Sequence, residues 1–188
     1  LTRLVLTWCP DFMITSGGIS HGKYEAVRLA LTAMMGTKDA RVQAERTWFG
    51  HVAQQPGGPQ GLSLLRATSQ EQDGGAHLVP VISLPGNPVS TLVSYVELVR
   101  PALAQLTGRV APQPRHGVLA LAEGEALEAP EGKTQYRRAR LERVFESDGT
   151  VRTLLTPDPL TGSHLLHRAA TARVLVQLDP GITYRSGD

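Results

Sequence analysis

The sequence has little cysteine and no long apolar run. A single cysteine, Cys9, excludes an intrachain disulfide framework and is typical of a reducing compartment; we expect it to pack at a helix end rather than act as a nucleophile. No stretch of about 18 apolar residues is present, and the first residues lack the apolar core and cleavage site of a signal peptide. These absences predict a cytoplasmic protein that does not bind membranes.

An excess of charge of either sign is also missing. The chain has 19 Lys and Arg against 17 Asp and Glu, a formal charge of +2, so a nucleic-acid-binding face is not expected. The glycine motifs match neither the dinucleotide-binding nor the nucleoside-triphosphate-binding pattern, and no nucleophile elbow is visible. His164 and His167 have no Cys or carboxylate at ligand spacing, so a zinc site is not predicted.

The most informative stretch is residues 83–90, Ser-Leu-Pro-Gly-Asn-Pro-Val-Ser. The apolar run 78–84 predicts a buried strand before it, and a long apolar-periodic segment predicts a helix after it. Gly86 permits a tight turn, Asn87 can cap the helix, and Pro88 suits the first helical position. Because the first N–H groups of a helix have no partner within it, this pattern predicts an anion-binding site.

An upstream segment repeats the pattern. Residues 11–14 predict a short buried strand, Gly17 and Gly18 follow in a glycine-rich turn, and residues 24–35 predict a helix that Gly36 ends in a left-handed conformation. Two such loops suggest neighbouring parallel strands. Ligands of open α/β sheets bind outside the carboxyl ends of such strands.

Prolines and glycines divide the rest of the chain. Pro101 predicts a kink or split in the long helix, which Gly108 ends. Residues 55–61, Gln-Pro-Gly-Gly-Pro-Gln-Gly, contain so much proline and glycine that we predict neither helix nor central strand there. Prolines near position 112 mark a boundary between an α/β domain, residues 1–110, and an all-β domain, residues 115–188. Short β-branched segments predict strands over residues 118–121, 136–145, 151–155 and 172–178.

The two loops carry a family resemblance. Residues 14–20, Ile-Thr-Ser-Gly-Gly-Ile-Ser, with Gly22, and then residues 84–90, Leu-Pro-Gly-Asn-Pro-Val-Ser, resemble the paired signatures of molybdopterin molybdenumtransferase, the MoeA and gephyrin E-domain family. The resemblance implies a three-layer α/β domain of the MogA and MoaB type followed by a small, barrel-like all-β domain. Since the chain opens inside a predicted helix without methionine, we expect that α/β domain to be partial.

The resemblance also implies an activity and a set of residues. A member of this family would insert molybdate into adenylated molybdopterin and release AMP with the help of Mg²⁺, as a cytoplasmic homodimer. The catalytic candidates are Glu25, Ser90 and Arg138, and Glu25 is also the metal candidate. Two simpler interpretations stay open, because Glu25 suits a first-turn glutamate that complements the helix dipole and Ser90 suits a capping serine. The binding candidates are Ser16, Gly17, Gly18, Ser20, Gln55, Gly86, Asn87 and Ser163.

One loop departs from the family pattern. Residues 55–59 align with a family loop usually written Lys-Pro-Gly-Lys-Pro, but Gln55 and Gly58 stand at the two lysine positions. Lysine is a usual point-charge partner of phosphate, so this change favours weaker catalysis. Two alternatives therefore remain: a scaffold or binding protein of the same fold, and a molybdopterin adenylyltransferase. The latter shares both loops but ends after the sheet domain, so the all-β domain weighs against it.

Overall fold

The chain folds into two compact units. A computed structural model describes residues 1–20, 22, 24–37, 41–68, 75–159 and 172–188. The first unit contains Leu1–Val52 and Gly57–Asn87, and the second contains Ala53–Pro56 and Pro88–Asp188. The boundary that we placed at residues 110–115 stays a prediction.

The described residues form four α-helices, one π-helical turn and eleven strands. The helices are α1 (Thr2–Trp8), α2 (Ala26–Ala33), α3 (Pro88–Ser94) and α4 (Arg100–Leu106), with the π-helical turn at Tyr95–Val99 between the last two. The strands are β1 (Met13–Ser16), β2 (Val42–His51), β3 (Gln54–Gln55), β4 (Pro59–Thr68), β5 (Ala76–Leu84), β6 (Val118–Leu119), β7 (Ala126–Glu128), β8 (Thr134–Phe145), β9 (Val151–Pro157), β10 (Val174–Leu178) and β11 (Thr183–Arg185).

The first unit is built on a four-stranded mixed sheet. Its strand order is β1-β5-β4-β2, with β1 parallel to β5 and the other neighbours antiparallel. Because side chains alternate between the two faces of a strand, one face supplies a continuous apolar layer against α1 and α2. The buried core consists of Val5, Leu31, Val42, Ala44, Leu65, Ala67, Val79 and Val81.

The other face of this sheet carries an apolar row. Ile14, Ile82, Leu62 and Trp48 are register partners across all four strands. Ile14 is 43% exposed, and Leu62 on the central strand β4 is 50% exposed, so exposure in this row is not confined to the edge strand. Our prediction of a buried strand over residues 11–14 is therefore wrong in two respects: the strand begins at Met13, and its residues alternate between half-buried and exposed.

The segment rich in proline and glycine corrects a second prediction. Residues 54 and 55 form β3, and β4 begins at Pro59 and lies centrally between β5 and β2. Proline has no N–H to donate to a neighbouring strand, and it is tolerated at the first residue of a strand, where Pro59 lies. At Gly61, a Cβ atom would lie 2.4 Å from Cε1 of Phe49, so the missing side chain makes room for that ring.

Helix ends follow the sequence closely. Cys9 ends α1 with φ 41°, and its N–H donates to the carbonyl of Val5 at 3.0 Å, but its side chain is exposed rather than packed. Gly36 and Gly108 have φ of 77° and 65°, the predicted left-handed conformation. Gly108 follows the C-cap of α4, but α2 ends at Ala33 with Met34 as its C-cap, so the prediction of a helix over residues 24–35 that Gly36 ends is wrong. None of the described helices is both long and apolar enough to cross a membrane.

Pro101 splits the long helix, as predicted. The N–H of Arg100 bonds to the carbonyl of Tyr95, which is the wider spacing of a π-helical turn, and the α-helical pattern resumes in α4. Proline has no N–H to donate and its ring crowds the preceding turn, so the widened turn accommodates it.

The second unit is mainly β-structure. Its larger sheet has the order β10-β8-β9-β6, with β3 parallel to β8, and β7 pairs separately with β11. The four strands predicted after the boundary are confirmed, whereas β7 and β11 were missed. Within the part of the chain that the structure describes, this sheet does not close, so the barrel-like arrangement is not found. Its buried core is Leu119, Ala129, Ala139, Val176 and Leu178.

Candidate functional site

Two glycine loops meet at one end of the first unit's sheet. Parallel β1 and β5 end side by side, with Ser16 opposite Leu84. The N–H of Gly17 donates to the carbonyl of Leu84 at 2.9 Å, and the Ser16 hydroxyl donates to the carbonyl of Pro85 at 3.4 Å. The predicted pairing of the two strand–loop units is therefore confirmed.

The backbones of the two loops touch at two glycines. A Cβ atom on Gly86 would lie 3.1 Å from Cα of Gly17, closer than ordinary van der Waals contact allows. Gly17 also has φ 83°, a left-handed conformation that a side chain disfavours. The close approach therefore requires glycine at position 86, whereas at position 17, where an added Cβ atom would lie at an ordinary 3.6 Å from Cα of Gly86, it is the left-handed backbone that favours glycine. Glycine loops at the ends of adjacent strands commonly present backbone N–H groups to anions, but the N–H of Gly17 is already bonded to Leu84.

The start of α2 holds the first glycine loop. The N–H of Arg28 donates to the carbonyl of Gly18 at 2.9 Å, and its guanidinium donates to the carbonyl of Ser20 at 3.2 Å. The Ser20 hydroxyl in turn donates to the Glu25 carboxylate. Gly18 packs so closely on α2 that a Cβ atom would lie 3.0 Å from the Val27 nitrogen. The loop conformation therefore depends on side chains of the following helix.

Two buried hydroxyl groups lie near the ends of β1 and β5. Thr15 and Ser83 are register partners on the two parallel strands. Among the described residues, neither the Thr15 Oγ1 atom nor the Ser83 Oγ atom has a hydrogen-bond partner, although both atoms are buried. Sequence reasoning passed over Ser83 as the start of the second motif; a polar residue inside an apolar strand was the available signal.

Ser90 lies in the second unit, in the first turn of α3, and is 7% exposed. One turn further, the fully buried Ser94 accepts a hydrogen bond from Gln54 Nε2 at 3.2 Å. The predicted binding residue Gln55 is exposed on β3, where it pairs with Gln135 of β8. Gln54, which sequence reasoning missed, is the buried residue of β3.

Arg138 is enclosed within the second unit. It is 5% exposed, and its guanidinium lies 3.6 Å from the Asp158 carboxylate. The neighbouring Arg137 donates to Gln135 Oε1 at 3.0 Å, and partial burial lowers the pKa of Arg137 while Asp158 opposes that shift. Burial is a cost that a charged group bears only when it is paired, so Asp158 explains how Arg138 is tolerated there.

A tyrosine beside this pair is linked to the helical segment of the same unit. Burial, the charge of Glu97 and a hydrogen bond from the tyrosine hydroxyl to Glu97 together raise the pKa of Tyr136 to about 12, and burial is the largest of these causes. Glu97 belongs to the π-helical turn. Sequence reasoning did not single out either residue, because neither lies in a recognisable motif.

The candidate residues fall into two groups. The remaining candidate, Ser163, lies outside the described residues, as do His164 and His167. In the described part of the chain, no three His, Cys, Asp or Glu side chains form a cluster that would hold a metal ion. The first unit brings together Ser16, Gly17, Gly18, Ser20, Glu25, Gly86 and Asn87, and the second contains Gln55, Ser90 and Arg138.

The chain is similar to proteins of known families. A family model described as a probable molybdopterin binding domain matches residues 4–105, which include both glycine loops. Molybdopterin molybdenumtransferase 2 of Mycobacterium tuberculosis is 37% identical over 168 residues, which are 89% of this chain and 36% of that protein. Gephyrin of Dictyostelium discoideum is 38% identical over 103 residues, which are 52% of this chain and 13% of that protein.

A solved structure shares the fold. A molybdenum cofactor biosynthesis protein from Pyrococcus furiosus matches with a TM-score of 0.51 and 18% identity, over 76% of this chain and 43% of that chain. These relatives agree with the resemblance first seen at residues 14–20 and 84–90, and with an α/β domain followed by β-structure. The chain spans little more than a third of the length of the mycobacterial relative.

Proposed function

Because the chain belongs to the family of probable molybdopterin binding domains, we propose that the protein carrying it is a molybdopterin molybdenumtransferase. It would insert molybdate into adenylated molybdopterin and release AMP, as part of molybdenum cofactor biosynthesis. The observation that supports this most is the contact of two glycine loops, Gly17 with Gly86, at the ends of adjacent parallel strands. Glycine loops paired in this way are a common setting for binding phosphate groups, such as the phosphoanhydride of an adenylate.

The candidate residues divide between binding and catalysis. Gly17, Gly18 and Gly86 allow the backbone to approach the phosphates closely, and the nearby hydroxyls add hydrogen bonds. Ser90 would donate to an oxygen that gains negative charge as the phosphoanhydride breaks. Arg138 would act through its charge, although its pairing with Asp158 favours a role in holding the β-structure.

A divalent cation is part of this proposal. Glu25 supplies a carboxylate beside the first glycine loop, and Mg²⁺ is commonly held by one or two carboxylates together with substrate phosphates. A single carboxylate whose oxygen already accepts a bond from Ser20 fits such a site only when the substrate supplies further oxygens. The cation would neutralise charge on the phosphates, and the binding roles given above do not depend on it.

The test is molybdate-dependent release of AMP from adenylated molybdopterin by the full protein. Ser90→Ala and Glu25→Gln should each lower the release rate by about 10- to 100-fold, the loss expected for one hydrogen bond to a charged group. Ser63→Ala is a matched control, because Ser63 is equally buried at 8% and lies on a central strand. Release that both site variants leave unchanged would contradict the proposed roles.

A scaffold function is the second candidate. It is favoured by the neutral residues Gln55 and Gly58 at the two lysine positions and by the similarity to gephyrin. Binding of the adenylate without release of AMP would support the scaffold function. Release of AMP that appears after combining Gln55→Lys with Gly58→Lys would instead support the enzymatic function. Adenylyltransferase activity is disfavoured by strands β6–β11. We infer a homodimer from the family and would check it by sedimentation.

A further inference from the structure

Arg28 contacts the first glycine loop at two points. Its backbone N–H donates to the carbonyl of Gly18, and its guanidinium donates to the carbonyl of Ser20. The two acceptors are two residues apart, so one residue fixes both ends of the segment 18–20. The hydroxyl of Ser20 is held separately by Glu25.

The charge of Arg28 suits an anion site. Guanidinium remains protonated in proteins and donates from a rigid plane, so the bond to Ser20 places a full positive charge beside the loop. A carbonyl oxygen facing an anion is repulsive, and the bond from Arg28 offsets the partial negative charge of the Ser20 carbonyl. Gln55 and Gly58 stand where the family pattern has lysines, so another source of positive charge is more important to the proposed function.

We propose that Arg28 is a positioning residue of the anion site, which holds residues 18–20 in the conformation that receives a substrate phosphate and adds affinity through its charge. This inference rests on the proposed function, since it takes the adenylate phosphate as the ligand. It assigns to α2 a role in phosphate binding that neither glycine motif reveals.

The test compares AMP with adenosine as probes of the full protein by calorimetry. Arg28→Ala should weaken AMP binding by about three- to tenfold, the effect of one hydrogen bond with a charge contribution, while adenosine binding stays unchanged. Arg28→Lys should recover part of the loss because it keeps charge and a donor, and Arg28→Gln should recover less. The difference between these two variants should shrink as salt is added, because salt screens the charge.

Arg3→Ala serves as the control, because Arg3 is an exposed arginine on α1 of the same unit. Two results would show a merely structural role and overturn the inference. One is a loss of affinity for AMP and adenosine by equal factors; the other is a loss of AMP affinity that follows a lowered melting temperature in every Arg28 variant. Unchanged AMP binding in Arg28→Ala would also overturn it while leaving the proposed function intact. A wild-type protein that neither binds nor releases AMP would overturn both.

Discussion

Replacing Gly61 by alanine tests the packing of the central strand β4. A Cβ atom at this position would lie 2.4 Å from Cε1 and 2.5 Å from Cδ1 of Phe49, and 3.0 Å from Cβ of Ser83. The first two distances are far below a normal carbon contact, so the aromatic ring must leave its position. Gly61 is buried between β2 and β5, which leaves the backbone little freedom to move away.

Two opposing effects set the size of the change. Alanine should stabilise a strand by roughly 0.5–1 kcal/mol over glycine, because it loses less backbone entropy on folding. Overpacking of a filled core costs about 1–3 kcal/mol. The two effects differ by about 0–2.5 kcal/mol, so we expect the free energy of unfolding of Gly61→Ala to fall by about 1 kcal/mol. For a chain of this size, that loss lowers the melting temperature by about 2–4 °C.

Urea unfolding followed by circular dichroism would measure this loss, with Phe49→Leu as the companion variant. Leucine removes the ring atoms nearest to the new methyl group, so Gly61→Ala should cost much less in the Phe49→Leu background. A Gly61→Ala protein as stable as the wild type would refute the packing argument. The same loss in both backgrounds would refute it as well, because the ring would then not be its cause.

Two further predictions concern the other unit and the glycine loops. The pKa of Tyr136 is raised from 10.0 to about 12, so the stability that its protonated hydroxyl confers is complete below pH 10 and is lost between pH 10 and 12. Tyr136→Phe, which also removes the bond to Glu97, should lower the free energy of unfolding by about 1 kcal/mol near pH 8. Urea titrations should show the free energies of unfolding of the two proteins converging as pH rises from 10 to 12. Gly86→Ala should lower AMP release by about tenfold, because displacing the loop at Gly17 by a few tenths of an ångström misplaces catalytic groups. Gly132→Ala is the control: Gly132 has φ 67° and no atom within 4 Å of an added Cβ atom, so this variant should lower stability but leave release unchanged. Equal release by Gly86→Ala and the wild type would contradict the close contact.

The sequence was most informative where local chemistry decides the conformation. The glycine at 108 and the proline at 101 predicted a helix end and a helix split, because both act through their own backbone geometry. The two loops could be paired from sequence because parallel strands end at one edge of a sheet. Family resemblance then suggested the ligand that we propose.

Prediction failed where a distant contact decides. The density of proline and glycine at 55–61 indicated a turn, but the ring of Phe49 and the two neighbouring strands make Gly61 part of the central sheet. Gln54 was overlooked in favour of its neighbour, because a strand of two residues shows no alternation from which the buried side can be read. The partner of Arg138 lies twenty positions further along, and nothing local reveals it.

The division of the chain has a consequence for its genetic modularity. The second unit contains Ala53–Pro56 as well as everything from Pro88, so neither unit corresponds to one uninterrupted stretch of gene. A recombination event at residues 110–115 would transfer β8 without β3, so β8 would have to pair with the recipient's own residues in place of Gln54–Gln55. Exchange of a whole unit between homologous genes would therefore require matched crossovers at three positions, after residues 52, 56 and 87.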